Sequence, residues 1–328
     1  MKKFKPSRTF IILISAAFAV FFGVLIYHKY NRIRTDRDLT QQVLTNQRQT
    51  EHFHIYSNLD SDSLDYYEQF FEGFFGYFNR EYFAIGQKRP LKVYLFKDTD
   101  SYMPYAISVG CRSPYGFYMG PEENIIVVNR DSGLGTTTHE LVHHFIATSL
   151  ARRPAKWVEE GIATFFEKFI GHLDNQGKLI ISFGYFSNWR FPITKASVNS
   201  LKLGEIIRAK EPDQCAARSL MLFLNKKGFF KNFVKQISTV KDDRDGSATL
   251  QKVYGKSIAE IEREWKDWIN SQPIDKDVLL VKSAFVLPEK QWEAWWQANK
   301  DKLYWSEEEQ IYRAKKTEGR SQQSAISE

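Results

Sequence analysis

Two histidines separated by three residues carry the chemistry of this chain. In His139-Glu140-Leu141-Val142-His143, positions i and i+4 stack on one helix face, so both imidazoles can meet one metal ion. Glu140 follows the first histidine, where its carboxylate reaches a water instead of the metal. Leu141, Val142, Phe145 and Ile146 supply the apolar side that buries such a helix. A second segment, Trp157-Val158-Glu159-Glu160-Gly161-Ile162-Ala163, offers the third ligand that a catalytic metal site needs. Glu160 lies 17 positions after His143. That separation lets the first helix finish, turns the chain at Arg152-Arg153-Pro154, and returns a second helix with Pro154 near its tolerated first turn. Gly161 permits close backbone approach, and Ala163 keeps the helix–helix contact narrow.

The elements that position these residues follow from the hydrophobic periods. His52–Tyr56 alternates like a strand, Leu64–Phe83 carries aromatics at helical spacing, and Leu91–Phe96 is a second strand entered through Pro90. Gly116–Met119 and Ile125–Asn129 read as short strands around a hairpin at Gly120-Pro121-Glu122-Glu123. After Gly133 and Gly135 the period becomes helical, with helices over Thr137–Leu150, Lys156–Ile170, Ala216–Lys226, Phe229–Ser238 and Ile258–Ile269. A further helix from Pro288 to about Lys302 holds Trp292, Trp295 and Trp296. The fold class is therefore α+β: a small N-terminal mixed β-sheet with helices, then a mainly helical half bearing the metal site, preceded by one transmembrane helix. The organisation reads as an N-terminal segment 1–30, a juxtamembrane spacer 31–50, a main domain 51–270, a tryptophan-rich helical extension 271–312 and a tail 313–328.

His139–His143 followed by Trp157–Ala163 resembles the gluzincin metallopeptidases, and most of all their peptidase-MA-like group, in which a small sheet precedes the zinc helix. The resemblance covers roughly residues 50–240 and is specific around 125–170. It implies Zn2+ bound by His139, His143 and Glu160, Glu140 as general base and acid, and a peptide or protein substrate; endopeptidase is preferred over aminopeptidase, with both left open. The departures are informative. Ile146 and Ser149 stand where metzincins place a Gly and a third His, and Thr164 stands where thermolysin-like members orient a histidine with Asp. Glu159 or Glu167 would have to take over that role. The Tyr that often opens the helix near Ala216 is replaced by Cys215 or Ala216, leaving Tyr185, Tyr254 or Arg218 as substitutes. Gly120–Asn124 is an imperfect echo of an amine-binding motif, against the plainer hairpin turn. The alternative is a non-proteolytic zinc-binding envelope interaction module, a degenerate peptidase.

The other histidines carry weaker signals. His144 points about 100° from His143 on the helix, which suits support or surface. His52 and His54 share one strand face, spaced as a metal pair or as an exposed strand face would be.

Composition locates the chain. Its 328 residues are 43% hydrophobic and 26% charged, ample for a packed core. The net charge of +7 invites a nucleic-acid partner, but residues 1–37 carry eight basic residues against Asp36 alone, leaving the remainder neutral. No nucleic acid is expected. Phe10–Tyr27 is an uncharged apolar run of 18 residues, about 27 Å as a helix and enough to cross a bilayer core. It reads as an uncleaved signal anchor; cleavage at Ala17-Phe18-Ala19, giving a secreted form, is the competing reading. The flanking charges place the N-terminus inside and the body on the extracytoplasmic side, periplasmic or cell-surface. Cys111 and Cys215 could pair in that compartment or remain free thiols.

Overall fold

The computed structural model describes Leu39 and residues 42–174, 179–184, 190–240, 242–274, 283–286, 300–306 and 311–314. The apolar run 10–27, the tryptophan-dense stretch except for a 3-10 turn at Lys300–Lys302, and the end of the tail lie outside the described residues. Among those described, no helix is long and apolar enough to cross a membrane.

A five-stranded mixed sheet forms the N-terminal half. Strands β2 (Phe53–Ser57), β3 (Leu91–Phe96) and β5 (Ile125–Asn129) run parallel at its centre. Antiparallel strands β1 (Asn46–Gln49) and β4 (Gly116–Tyr118) close its edges, in the order β1-β2-β3-β5-β4. Strand β1 belongs to the stretch expected to be a spacer; it pairs with β2 in register, and Leu44 ahead of it is buried. Every residue of the Ile-Ile-Val-Val-Asn strand β5 is buried, as its β-branched run and two covered faces require. Alternation divides the sheet between two cores. Ile55, Val93, Leu95, Ile126 and Val128 face the main cluster, whereas Tyr94, Phe96 and Val127 face a smaller one.

Helix α1 (Ser61–Glu81) connects β2 to β3 and fills the main core with Phe70, Phe71, Phe74, Phe75 and Phe78 at helical spacing. Its N-terminus is fixed by Asp60, whose side chain accepts from the Ser63 amide at 2.8 Å. Helix α2 (Thr99–Ser108) covers the opposite face through Tyr102 and Tyr105. It was not anticipated, because its internal Pro104 and weak periodicity resemble a loop.

From β5 a short turn leads into helix α3 (Leu134–Ser149), which carries the paired histidines. Asn129 pins that turn, accepting from the Asp131 amide at 3.1 Å and donating to Thr99 Oγ1 and the Pro114 carbonyl. Helix α4 (Lys156–Phe165) ends well before Ile170. The chain instead enters strand β6 (Phe169–Leu173), whose Phe169, Gly171 and Leu173 turn inward while Ile170 and His172 face out. Strand β6 pairs antiparallel with β7 (Leu179–Phe183) and parallel with β8 (Ala284–Val286). The half expected to be mainly helical thus contains a three-stranded sheet, and part of the C-terminal extension is built into the domain. Helices α5 (Arg190–Ser197), α6 (Leu203–Arg208), α7 (Gln214–Lys226), α8 (Phe230–Thr239), α9 (Ser247–Tyr254) and α10 (Ile258–Ser271) complete the half, with a hairpin of β9 (Leu303–Ser306) and β10 (Ile311–Ala314) beyond.

Two glycines set how closely the site's helices approach their neighbours. A Cβ at Gly135 would collide with the carbonyl oxygen of Glu167, and one at Gly161 would meet Met221 and the Ala217 carbonyl. The first obstacle is backbone and cannot swing away. Gly135→Ala is therefore expected to destabilise the fold by about 2 kcal/mol or more. Gly76→Ala, in an open stretch of α1, should stabilise it by about 0.5–1 kcal/mol. Urea denaturation of both variants checks the contrast, and equal effects would contradict it.

Candidate metal centre

Helices α3 and α4 bring His139, His143 and Glu160 together, so that one ligand atom from each lies within 4.8 Å of the others. The two Nε2 atoms stand 3.0 Å apart, and Glu160 Oε2 lies 3.6 Å from His139 Nε2 and 3.7 Å from His143 Nε2. This group can hold a metal ion, as the spacing predicts. No other group of three His, Cys, Asp or Glu converges in this way among the described residues.

Each imidazole has a carboxylate behind it: Glu159 is hydrogen-bonded to His143, and Glu167 makes an ion-pair contact with His139. His143 Nδ1 is 2.9 Å from Glu159 Oε1, and His139 Nδ1 is 3.0 Å from Glu167 Oε1. An imidazole whose Nδ1 proton faces a carboxylate presents the Nε2 lone pair on its other side. Both of the carboxylates suggested by the sequence thus serve, one for each histidine. Thr164, in the place of the missing Asp, turns its hydroxyl back to the Glu160 carbonyl at 2.6 Å. Basic residues complete the arrangement. Arg153 donates to Glu159 Oε1 through Nε at 3.1 Å and Nη2 at 2.7 Å. Arg190 donates through Nε and Nη2 to the two oxygens of Glu167 at 3.2 and 3.0 Å.

Burial opposes charge throughout the site, and at Glu159, Glu167 and His139 the specific partners overcome it. Burial would raise the Glu159 pKa, but the bonds from His143 and Arg153 bring it down to about 2. Glu167 behaves alike: burial raises it, and His139 with Arg190 lowers it to about 2. Burial also resists a proton on His139, yet Glu167, Glu140 and Glu160 raise its pKa to about 9. The negative field that draws a proton to this imidazole attracts a cation for the same reason. Glu140 is held above the usual carboxylate range, chiefly by burial.

Glu140 stays out of the ligand triad. It lines a cleft of about 1160 Å³ together with His139, Tyr66, Tyr115, Gly116, Arg190 and Gln214. Gly116 of edge strand β4 lies beside it, and a Cβ there would crowd the Val127 carbonyl oxygen at 2.9 Å and Thr136 Cγ2 at 3.0 Å.

Other expectations resolve differently. Arg218 is buried, donates through Nε to the Thr164 carbonyl at 2.9 Å, and has its pKa lowered to about 10 by burial. Tyr254 donates to Glu264 Oε2 at 2.7 Å, and neither residue lines the cleft. Tyr185 lies outside the described residues. His144 is fully buried, not superficial, with Nε2 2.9 Å from Gln87 Oε1; burial pushes its pKa down to about 3. His52 and His54 are engaged separately, His52 by Glu72 at 2.7 Å and His54 by the Tyr56 ring. Residues 120–124 form the β4–β5 turn, where Asn124 has φ 57° and its side-chain amide donates to the Pro90 carbonyl. Cys111 and Cys215 are free thiols.

Arg153, Arg190 and Gln214 were not foreseen. Arg190 is separated from Glu167 by the β6–β7 hairpin, which no spacing rule anticipates. Gln214 was passed over because α7 begins two residues ahead of Ala216, under an Asp213 cap that accepts from the Cys215 and Ala216 amides. No family model matches the chain, and no curated protein is significantly similar to it.

The backing carboxylates should be measurable through the metal. Glu159→Gln is expected to weaken Zn2+ binding by about 10–100-fold in a competitive titration against a chromophoric chelator. An unchanged affinity would show that the His143–Glu159 contact does not orient the ligand.

Proposed function

We propose that this chain is a zinc-dependent peptidase of gluzincin type, tethered by residues 10–27 with its body extracytoplasmic. The observation that carries the reading is the separation of roles within one motif. His139 and His143 converge with Glu160, whereas Glu140, between them in sequence, faces the cleft. A purely structural zinc site has four protein ligands and no use for a carboxylate so placed.

The donor set supports zinc. Two imidazole nitrogens and one carboxylate oxygen match a catalytic site that keeps a fourth position open. Ligands on a tetrahedral ion with such bond lengths lie roughly 3.3 Å apart, and the separations here are 3.0, 3.6 and 3.7 Å. A zinc ion held there supplies Lewis acidity, polarising the scissile carbonyl and making water a stronger acid.

The chain's own residues do the remaining work. The Glu140 carboxylate takes a proton from the attacking water and delivers it to the nitrogen of the departing amine. Burial of Glu140 raises the proton affinity of its carboxylate, which suits it to accept that proton. Glu159 and Glu167 hold the imidazoles so that neither ligand turns its lone pair away.

Glu140→Gln is expected to retain Zn2+ and lose hydrolysis of a peptide library by at least about 100-fold, while His143→Ala loses both. Undiminished hydrolysis by Glu140→Gln would overturn the mechanism. Stoichiometric Zn2+ in the wild type with no cleavage of any peptide would favour the interaction module.

A further inference from the structure

We infer that Arg190 is a positioning residue for the metal centre: one guanidinium braces the carboxylate behind His139 and, through Gln214, the Glu160 ligand. The inference rests on reading His139, His143 and Glu160 as metal ligands, and extends it to residues on two further helices.

The geometry forms a continuous chain of contacts. Arg190, at the start of α5, spends Nε and Nη2 on Glu167, whose Oε1 lies 3.0 Å from His139 Nδ1. Its Nη1 donates to Gln214 Oε1 at 3.1 Å, and Gln214 Nε2 donates to Glu160 Oε2 at 2.9 Å. That Oε2 is the oxygen nearest both imidazole Nε2 atoms.

The direction of the Gln214 amide is the informative point. An amide can present either end, but a guanidinium only donates. Arg190 therefore claims the amide oxygen and turns the NH2 group toward Glu160. A donor fixed on one carboxylate oxygen sets the terminal torsion of Glu160, which is otherwise broad. Arg190 thus orders one ligand from α3 and one from α4. A lysine at this position keeps the charge but lacks a planar fork that can serve two acceptors at once.

A role confined to neutralising buried Glu167 would need no contact with Gln214. The two roles separate in an experiment on the full chain in detergent. Zn2+ affinity, the Co2+ absorption spectrum and the melting temperature of the metal-free protein are measured for wild type, Arg190→Lys, Gln214→Met and the double variant. Arg190→Lys is expected to weaken Zn2+ by about 10–100-fold and Gln214→Met by about 10-fold. The double variant should be no weaker than Arg190→Lys alone, because both act along one path. The Co2+ bands should shift in both single variants. Gln214→Met leaves the Arg190–Glu167 pair in place, so it carries the test should Arg190→Lys fail to fold. Wild-type Zn2+ affinity and an unshifted Co2+ spectrum in Gln214→Met would overturn the brace, as would fully additive losses in the double variant. A lowered melting temperature with unchanged Zn2+ affinity would also overturn it, in favour of charge neutralisation. Failure of the wild type itself to bind Zn2+ would instead overturn the metal reading on which the brace depends.

Discussion

A buried imidazole is useful to a cation only when its unprotonated nitrogen points at it, and an unconstrained ring has no reason to choose that orientation. The contacts from Glu159 to His143 and from Glu167 to His139 remove the choice. Burying a carboxylate costs several kcal/mol unless it is paired. Each of these is paired twice, with a histidine on one side and an arginine on the other. The site is accordingly a set of interlocked charges, and removing any member leaves an uncompensated neighbour.

That constraint explains the surrounding architecture. Glu159 and Glu160 come from α4 and Glu167 from the turn after it, so α3 and α4 must lie close and in fixed register. Gly135 allows the approach at one end, and the Thr138 hydroxyl donates to the Phe166 carbonyl at 2.8 Å to lock it. Helix α3 is anchored in turn by the fully buried strand β5 and by the phenylalanine face of α1 packed against Phe145. The candidate metal ligands stand on helices α3 and α4, and none belongs to the sheet. Its contribution is a rigid floor from which their helix rises, plus an edge strand laid beside Glu140.

The parts readable from the sequence were those governed by local periodicity. Strands β3 and β5 run over the expected residues, and the three candidate ligands meet as an i, i+4 pair and a carboxylate on a following helix should. The parts that escaped are governed by tertiary partners. Residues 166–170 continue a helical pattern on paper, but pairing with β7 and β8 draws Phe169–Leu173 into a strand. Gln214 looks like an ordinary polar residue before a helix, and only the folded chain shows what its two ends touch. Arg218 was attractive by type alone, and its burial beneath Thr164 removes it from the cleft. Spacing rules find residues sharing an element; they are silent about residues that meet across hairpins.

Strand β8 gives the architecture a direction in time. Ser283, beside it, donates to the Glu167 carbonyl across 116 residues of chain and accepts from the Phe169 amide, while Tyr66 donates to Phe285. A ribosome releases the α3–α4 pair long before this strand, yet one wall of the cleft includes Ser283. Closing so long a loop is among the slower steps available to a domain of this kind. The candidate ligands are therefore in hand before the groove above them is finished, and a nascent chain acquires its full cleft only once Ser283 has emerged.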